Sequence, residues 1–181
     1  MAIQIEKTFQ VDEPIDQVWA LLFDPKRVAV CVPGAKITEQ LNDTTYKGTI
    51  SVKVGPSATD YKGEVQIVRL DAENHEIEIV GKGQDVKGRG SASMKMTAKA
   101  RALDSGGTEV TSTSELNVVG ILAQMGARVI NEVSNIVFAQ FIKNFQAQLK
   151  QPGDTPMAEA KPLSAASVAW AAAKGALHRN S

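Results

Sequence analysis

Few side chains in this 181-residue chain are suited to acid–base, nucleophilic or metal chemistry. There are two histidines, His75 and His178, and one cysteine, Cys31. His75 lies in AENHE between two strand-like runs, and His178 lies near the end of the chain. Neither has a second histidine or cysteine at ligand spacing, so the pattern offers no metal set. Cys31 sits between Val30 and Val32 with no histidine placed to activate it. A buried structural thiol is therefore expected rather than a nucleophile. Neither G-x-S-x-G nor H-E-x-x-H occurs. The glycine-rich GKGQDVKGRGSAS joins two strand-like runs and opens no helix. It reads as a flexible hairpin loop, because a phosphate cradle needs a helix N-terminus there. Glu64, Glu76, Glu78, Glu109 and Glu115 alternate with apolar neighbours and belong on a solvated face. The expected catalytic set is empty, and so is the expected metal set.

The elements that would position any site follow from periodicity. Ile3, Ile5 and Phe9 mark a first strand. DEPIDQVWALLFD follows, with Asp12 as expected N-cap, Pro14 in the first turn and Ile15, Val18, Trp19 and Leu22 on one face. Asp24-Pro25 stops that helix and starts a second short one through Val30. Six alternating runs then extend from Ala35 to Val118, separated by turn clusters that include Asn42-Asp43, Gly55-Pro56-Ser57 and Gly81–Gly90. Hairpin spacing predicts an antiparallel meander, giving seven strands in all. From Gly120 to Leu149 a long apolar stripe predicts one helix lying across the concave face of the sheet. The fold class is α+β, a curved seven-stranded sheet gripping a long C-terminal helix.

Alternation also assigns an inward set, and that set is small. It contains Tyr46, Gly48, Tyr61, Gly63, Met94, Met96, Ser112 and Ser114, with Leu122, Met125 and Val129 facing it from the helix. Aromatic residues make up only 5% of the chain. Such side chains leave interior volume unfilled, and the expected result is an elongated apolar pocket lined by adaptable methionines. Ser112 and Ser114 are the only polar groups this reading places inside. Gly63→Leu is the filling substitution it suggests. The bland alternative is that sheet and helix collapse together and the glycines are bulges.

Four stretches carry a resemblance. They are VWALLFDPKRVAVCVPGA (Val18–Ala35), YKGTISVKVGPSATDYKGEVQI (Tyr46–Ile67), GKGQDVKGRGSA (Gly81–Ala92) and GTEVTSTSELNVVGILAQMGARVI (Gly107–Ile130). In this order they resemble the CoxG family of carbon monoxide dehydrogenase subunits, part of the helix-grip superfamily of START-like and birch-pollen-allergen-like (SRPBCC) proteins. The resemblance spans about residues 2–149. It implies the same helix-grip fold around a hydrophobic cavity. It also implies a non-enzymatic accessory role beside a molybdenum-containing hydroxylase of the CO dehydrogenase type. A quinone or another lipid-like molecule is the implied ligand, and recruitment to the membrane the implied task. No catalytic residue carries over. Alternatives are a cyclase- or hydrolase-type enzyme using the cavity, or a pure assembly factor.

Charge and hydropathy fit that picture without specifying it. Twenty basic and twenty acidic residues cancel, so no basic footprint suggests nucleic acid. No run reaches the roughly 18 apolar residues of a spanning helix. MAIQIEKTFQVDEP is charged and alternating, unlike a signal peptide. The expected location is cytoplasmic, peripheral at the inner face of the cytoplasmic membrane. The expected domains are 1–150, a linker over 151–162 and an amphipathic helix over 163–179. In that helix Leu163, Trp170 and Leu177 belong to a narrow apolar stripe for membrane or partner contact.

Overall fold

The computed structural model describes residues 1–54 and 56–151. The expected C-terminal helix, and all of the linker beyond Gln151, lie outside the described residues. The order is β1 (Ala2–Val11), α1 (Ile15–Leu22), α2 (Pro25–Cys31), β2 (Ala35–Gln40), β3 (Thr45–Val54), β4 (Ser57–Asp71), β5 (Glu76–Asp85), β6 (Gly90–Ala102), β7 (Thr108–Gly120), α3 (Ile121–Gln124) and α4 (Ala127–Leu149). All seven strands form one antiparallel sheet in the order β1-β7-β6-β5-β4-β3-β2. This is the expected α+β helix-grip architecture. Consecutive strands β1 and β2 lie at opposite edges, so α1 and α2 must bridge the full width of the sheet.

Local chemistry explains most boundaries. Pro14, rather than Asp12, occupies the cap position of α1 and makes no side-chain cap bond. Asp24 caps α2 by accepting from the Arg27 backbone N–H at 3.4 Å, with Pro25 in the first turn. His75 turns the chain between β4 and β5 with φ +54, and its ring stands edge-on to Trp19 at 5.4 Å. That histidine supports a turn and a core aromatic.

Two expectations need correcting. The glycine-rich stretch is not one long loop: β5 continues through Gly81 and Gly83 to Asp85, and the turn is confined to residues 86–89. Gly81, Gly83 and Asp85 keep the inward parity while Lys82 and Gln84 point out, so the alternation holds where composition suggests a loop. The C-terminal helix is also broken. Gly126 has φ +84 and separates the four-residue α3 from α4. A left-handed residue cannot continue an α-helical hydrogen-bond ladder, so Met125 sits at a junction rather than within one stripe.

The glycines on the inner face are not bulges. Register shifts fall between Ile37 and Glu39 and between Ile67 and Arg69. Gly48, Gly63 and Gly83 instead lie side by side across β3, β4 and β5. A Cβ on Gly48 would come within 2.6 Å of the Lys36 carbonyl oxygen, and one on Gly63 would strike that of Lys82. The strands approach too closely there for any side chain at Gly63.

Two packed clusters hold the molecule together. The larger joins β1, α1, α2 and the C-terminal half of α4, with Phe9, Val18, Leu21, Ile77 and Phe145 at its centre. Phe9 meets Phe138, Phe141 and Phe145 edge-on at 5.8, 6.3 and 5.5 Å. Asn144 donates to the Cys31 carbonyl at 2.9 Å and Gln17 to that of Leu149 at 2.6 Å, pinning α4 to the short helices. The smaller cluster is Ile3, Val118 and Ile130, with Leu116, Ala92 and Leu122 against it. Thus α4 is seated on α1, α2 and β1, and does not blanket the whole concave face.

Candidate functional site

Register defines the inner face row by row. Tyr46, Val65, Gly81, Met94, Leu116 and Ile3 lie opposite one another across β3, β4, β5, β6, β7 and β1. The next row is Ile67, Ile79, Met96, Ser114 and Ile5, and the next Ile77, Ala98, Ser112 and Lys7. On the other side lies the row of Gly48, Gly63, Gly83, Ala92 and Val118. The two clusters occupy opposite ends of this surface. Between them, Met94, Met96, Ser112 and Ser114 are half-buried and Val65 is 40% exposed. On the helical side Leu122, Met125, Val129, Val133, Ile136 and Val137 are also half-buried. Met94, Met96, Val65, Val129 and Val133 belong to neither cluster.

Of the residues expected to line a pocket, the strand members share one face by register and Leu122 packs beside them, but they are not equally open. Tyr46 and Tyr61 are buried, at 7% and 4% exposure, and form walls rather than open floor. Gly48 and Gly63 supply close strand approach, while the methionines and serines supply accessible surface. Leu163, Trp170 and Leu177 lie outside the described residues.

Two inward-facing charged groups escape a reading by alternation of apolar residues alone. Lys7 has the parity of Ile5 and Phe9, and on that face it pairs with Ser112. Its ammonium donates to the Asn135 side-chain oxygen and lies 5.6 Å from the centroid of Phe138. The signal is present in the sequence as I-E-K-T-F. Asp85 is the other, buried at 3% exposure beside Tyr61 in the register. Arg89 donates to it from Nε at 2.8 Å, from Nη2 at 3.0 Å and from its backbone N–H at 2.9 Å. These bonds hold the Asp85 carboxyl down at about 2. The Tyr61 hydroxyl is buried without a protein partner, and its pKa is raised, first by burial and then by the Asp85 charge. Asp85 is thus ionised and committed to Arg89, which leaves it no proton to give near neutrality.

Elsewhere the chemistry is structural. Burial pushes the Cys31 thiol up to about 12, so it is not a thiolate near neutrality. Glu76 and Glu78 flank Arg69 on the outer face, Glu78 also meets Lys95 at 3.3 Å, and Glu109 meets Arg101 at 3.0 Å. Glu64 faces Lys82 and Glu115 faces Lys95 across strands, bordering an outer groove of about 380 Å³. This charged ladder is a solvated face. A second groove of about 320 Å³ opens at the sheet edge between Phe23, Pro25, Tyr46, Ile67 and Leu70. Its apolar rim is open, with Phe23, Val68 and Leu70 at 42, 46 and 51% exposure. Among the described residues no group of three or more histidines, cysteines and carboxylates is placed to hold a metal ion. No described helix is long and apolar enough to cross a membrane.

Comparison with solved structures places the fold. A conserved protein from Geobacillus kaustophilus superposes with a TM-score of 0.73 at 18% identity, covering 81% of this chain and 95% of that one. The Zhui aromatase/cyclase from Streptomyces gives 0.60 at 16% identity, covering 83% and 94%. A START superfamily protein from Mycobacterium smegmatis gives 0.57 at 10% identity, covering 82% and 97%. At these identities the likeness shows the fold alone. Comparison with curated proteins finds no match. The family model for CoxG, a carbon monoxide dehydrogenase subunit, matches residues 8–150, which include every described strand except the start of β1, both short helices and all of α4. With the helix-grip fold and the inner face in place, the chain belongs to the CoxG family of carbon monoxide dehydrogenase subunits.

Proposed function

We propose that this chain is a non-enzymatic carrier of an apolar molecule, a quinone or another lipid-like compound, acting beside a molybdenum-containing hydroxylase of the CO dehydrogenase type. The observation that carries the reading is the partly open apolar strip of exposed Val65 and half-buried Met94 and Met96 between two packed clusters. Apolar surface left open inside a fold binds apolar partners at about 25 cal/mol per Å² before the costs of association. Methionines suit an elongated ligand of irregular shape. The family supports the partner, since its description names carbon monoxide dehydrogenase. An enzymatic reading needs a free inward acid or base, and Asp85 is tied to Arg89.

The carrier collects its ligand at the inner face of the cytoplasmic membrane. Leu163, Trp170 and Leu177 supply a reversible contact with lipid or with the partner enzyme. The open apolar rim of Phe23, Val68 and Leu70, beside the inward Tyr46 and Ile67, is the proposed place of ligand entry. Organic extraction of the purified protein followed by mass spectrometry tests the core of this reading. Near-stoichiometric recovery of one apolar species is expected. Recovery of none, with no saturable quinone binding on titration, would remove it. Liposome flotation with and without residues 151–181 tests the tail separately: loss of flotation on truncation is expected, and equal flotation would rule the tail out as the anchor.

A further inference from the structure

We propose that Lys7 is the polar recognition point of the inner face, and that it selects apolar molecules carrying a carbonyl or carboxylate oxygen. The proposal rests on the carrier reading above and gives it a chemical specificity.

A lysine on the inward face of β1 calls for a reason. Ile5 and Phe9, its neighbours of the same parity, both enter the packed interior. The bond from Lys7 to Asn135 lies open to solvent, so the stem follows the inner face while the ammonium stands at the rim of that face. Lys7 makes no ion pair among the described residues. Its companions are the neutral Asn135 amide and the face of Phe138. Phe138 itself packs on Phe9, so the ammonium stands at the edge of the larger cluster. An amide oxygen occupies one of three N–H donors and leaves the other two for water or for an arriving oxygen.

Its position matches the gap between the two clusters. Ser112 lies opposite Lys7, and Ser114 is one row further on, opposite Met96. Both hydroxyls stand on half-buried residues. An apolar body lying along Met94 and Met96 would bring a terminal oxygen onto this strip of one ammonium and two hydroxyls. Carbonyl and carboxylate oxygens accept from such donors, and the charged donor makes the stronger bond. A hydrocarbon of equal size gains nothing from it.

The bland explanation is that the lysine stem merely covers apolar surface while its head reaches for water beside Asn135. Three probes separate the two: dodecanoate, 2-methyl-1,4-naphthoquinone and 2-methylnaphthalene, each titrated calorimetrically against wild type, Lys7→Met and Lys7→Arg. Lys7→Met keeps the stem and removes the charge. The expected result is a loss of about tenfold or more for dodecanoate and about threefold for the naphthoquinone. The hydrocarbon should stay within about twofold, and Lys7→Arg should retain most of the dodecanoate affinity. Equal losses for all three probes, or none, would overturn the anchor while leaving the carrier reading in place. Binding of none of the probes by the wild type would overturn both.

Discussion

The two ends of the sheet's inner face are built from different materials. Where α1, α2 and the last turns of α4 meet β1, the chain supplies Phe9, Trp19, Leu21 and Phe145, all of them buried in one cluster. Over β3 to β6 the same face carries Gly48, Gly63, Gly81, Gly83, Met94 and Met96, and the surface stays half open. One antiparallel sheet runs through both regions; side-chain volume and the seat of α4 differ between them. If the proposed carrier function holds, stability and ligand binding are separated along one sheet, and substitutions in the two regions should have different consequences.

The largest contrast is expected from Phe145→Ala. Phe145 is fully buried, and its loss should cost about 3–5 kcal/mol in urea denaturation. Next come the glycines. Gly63→Ala should cost about 2–3 kcal/mol, because its new methyl meets backbone that cannot retreat. Gly63→Leu, the filling change suggested by alternation, should fail to fold for the same reason. Gly81→Ala has only ordinary contacts at 3.7 Å and should stay within about 1 kcal/mol of wild type. Gly81, between Val65 and Met94 in the inward row, is therefore the place to fill the apolar strip. If Gly81→Leu folds and still supports the proposed partner enzyme fully, the strip is incidental and an assembly role is favoured.

Met96→Ala should reverse the pattern of Phe145→Ala. Half-buried, it should cost about 1 kcal/mol of stability yet weaken naphthoquinone binding about fivefold. A stability loss as large as that of Phe145→Ala would erase the distinction between the regions. The smallest effect is an acid one. The Arg89 bonds depress the Asp85 carboxyl to about 2, below its unfolded value near 4. Its contribution is present above that unfolded value and is lost as pH falls towards 2. The melting temperature of wild type should drop across this interval more steeply than that of Asp85→Asn. Parallel curves would show that the pair does not carry the acid transition.

Much of this is legible in the sequence. Seven strands, two short helices and the inward parity of Tyr46, Met94 and Ser112 follow from period-two patterns and turn residues. What escapes does so for physical reasons. GKGQD reads as loop because glycine content outweighs its alternation, although small residues on an inward face are what a groove requires. Gly126 merges into a helix because apolar spacing runs through it, and a single left-handed residue leaves no periodic mark. Lys7 is invisible as an inward group while charge is equated with an outward position. The seat of α4 is tertiary: it depends on Phe9, Cys31 and Gln17 meeting residues more than a hundred positions away.

The central claim is that an apolar ligand occupies the strip between the two clusters. A diazirine-tagged alkyl naphthoquinone, bound and photolysed, would be mapped by peptide mass spectrometry. Saturable labelling concentrated on Val65, Met94, Met96 and Val129, and displaced by untagged quinone, is the predicted result. Labelling confined to the outer charged groove, or rising without saturation, would contradict it.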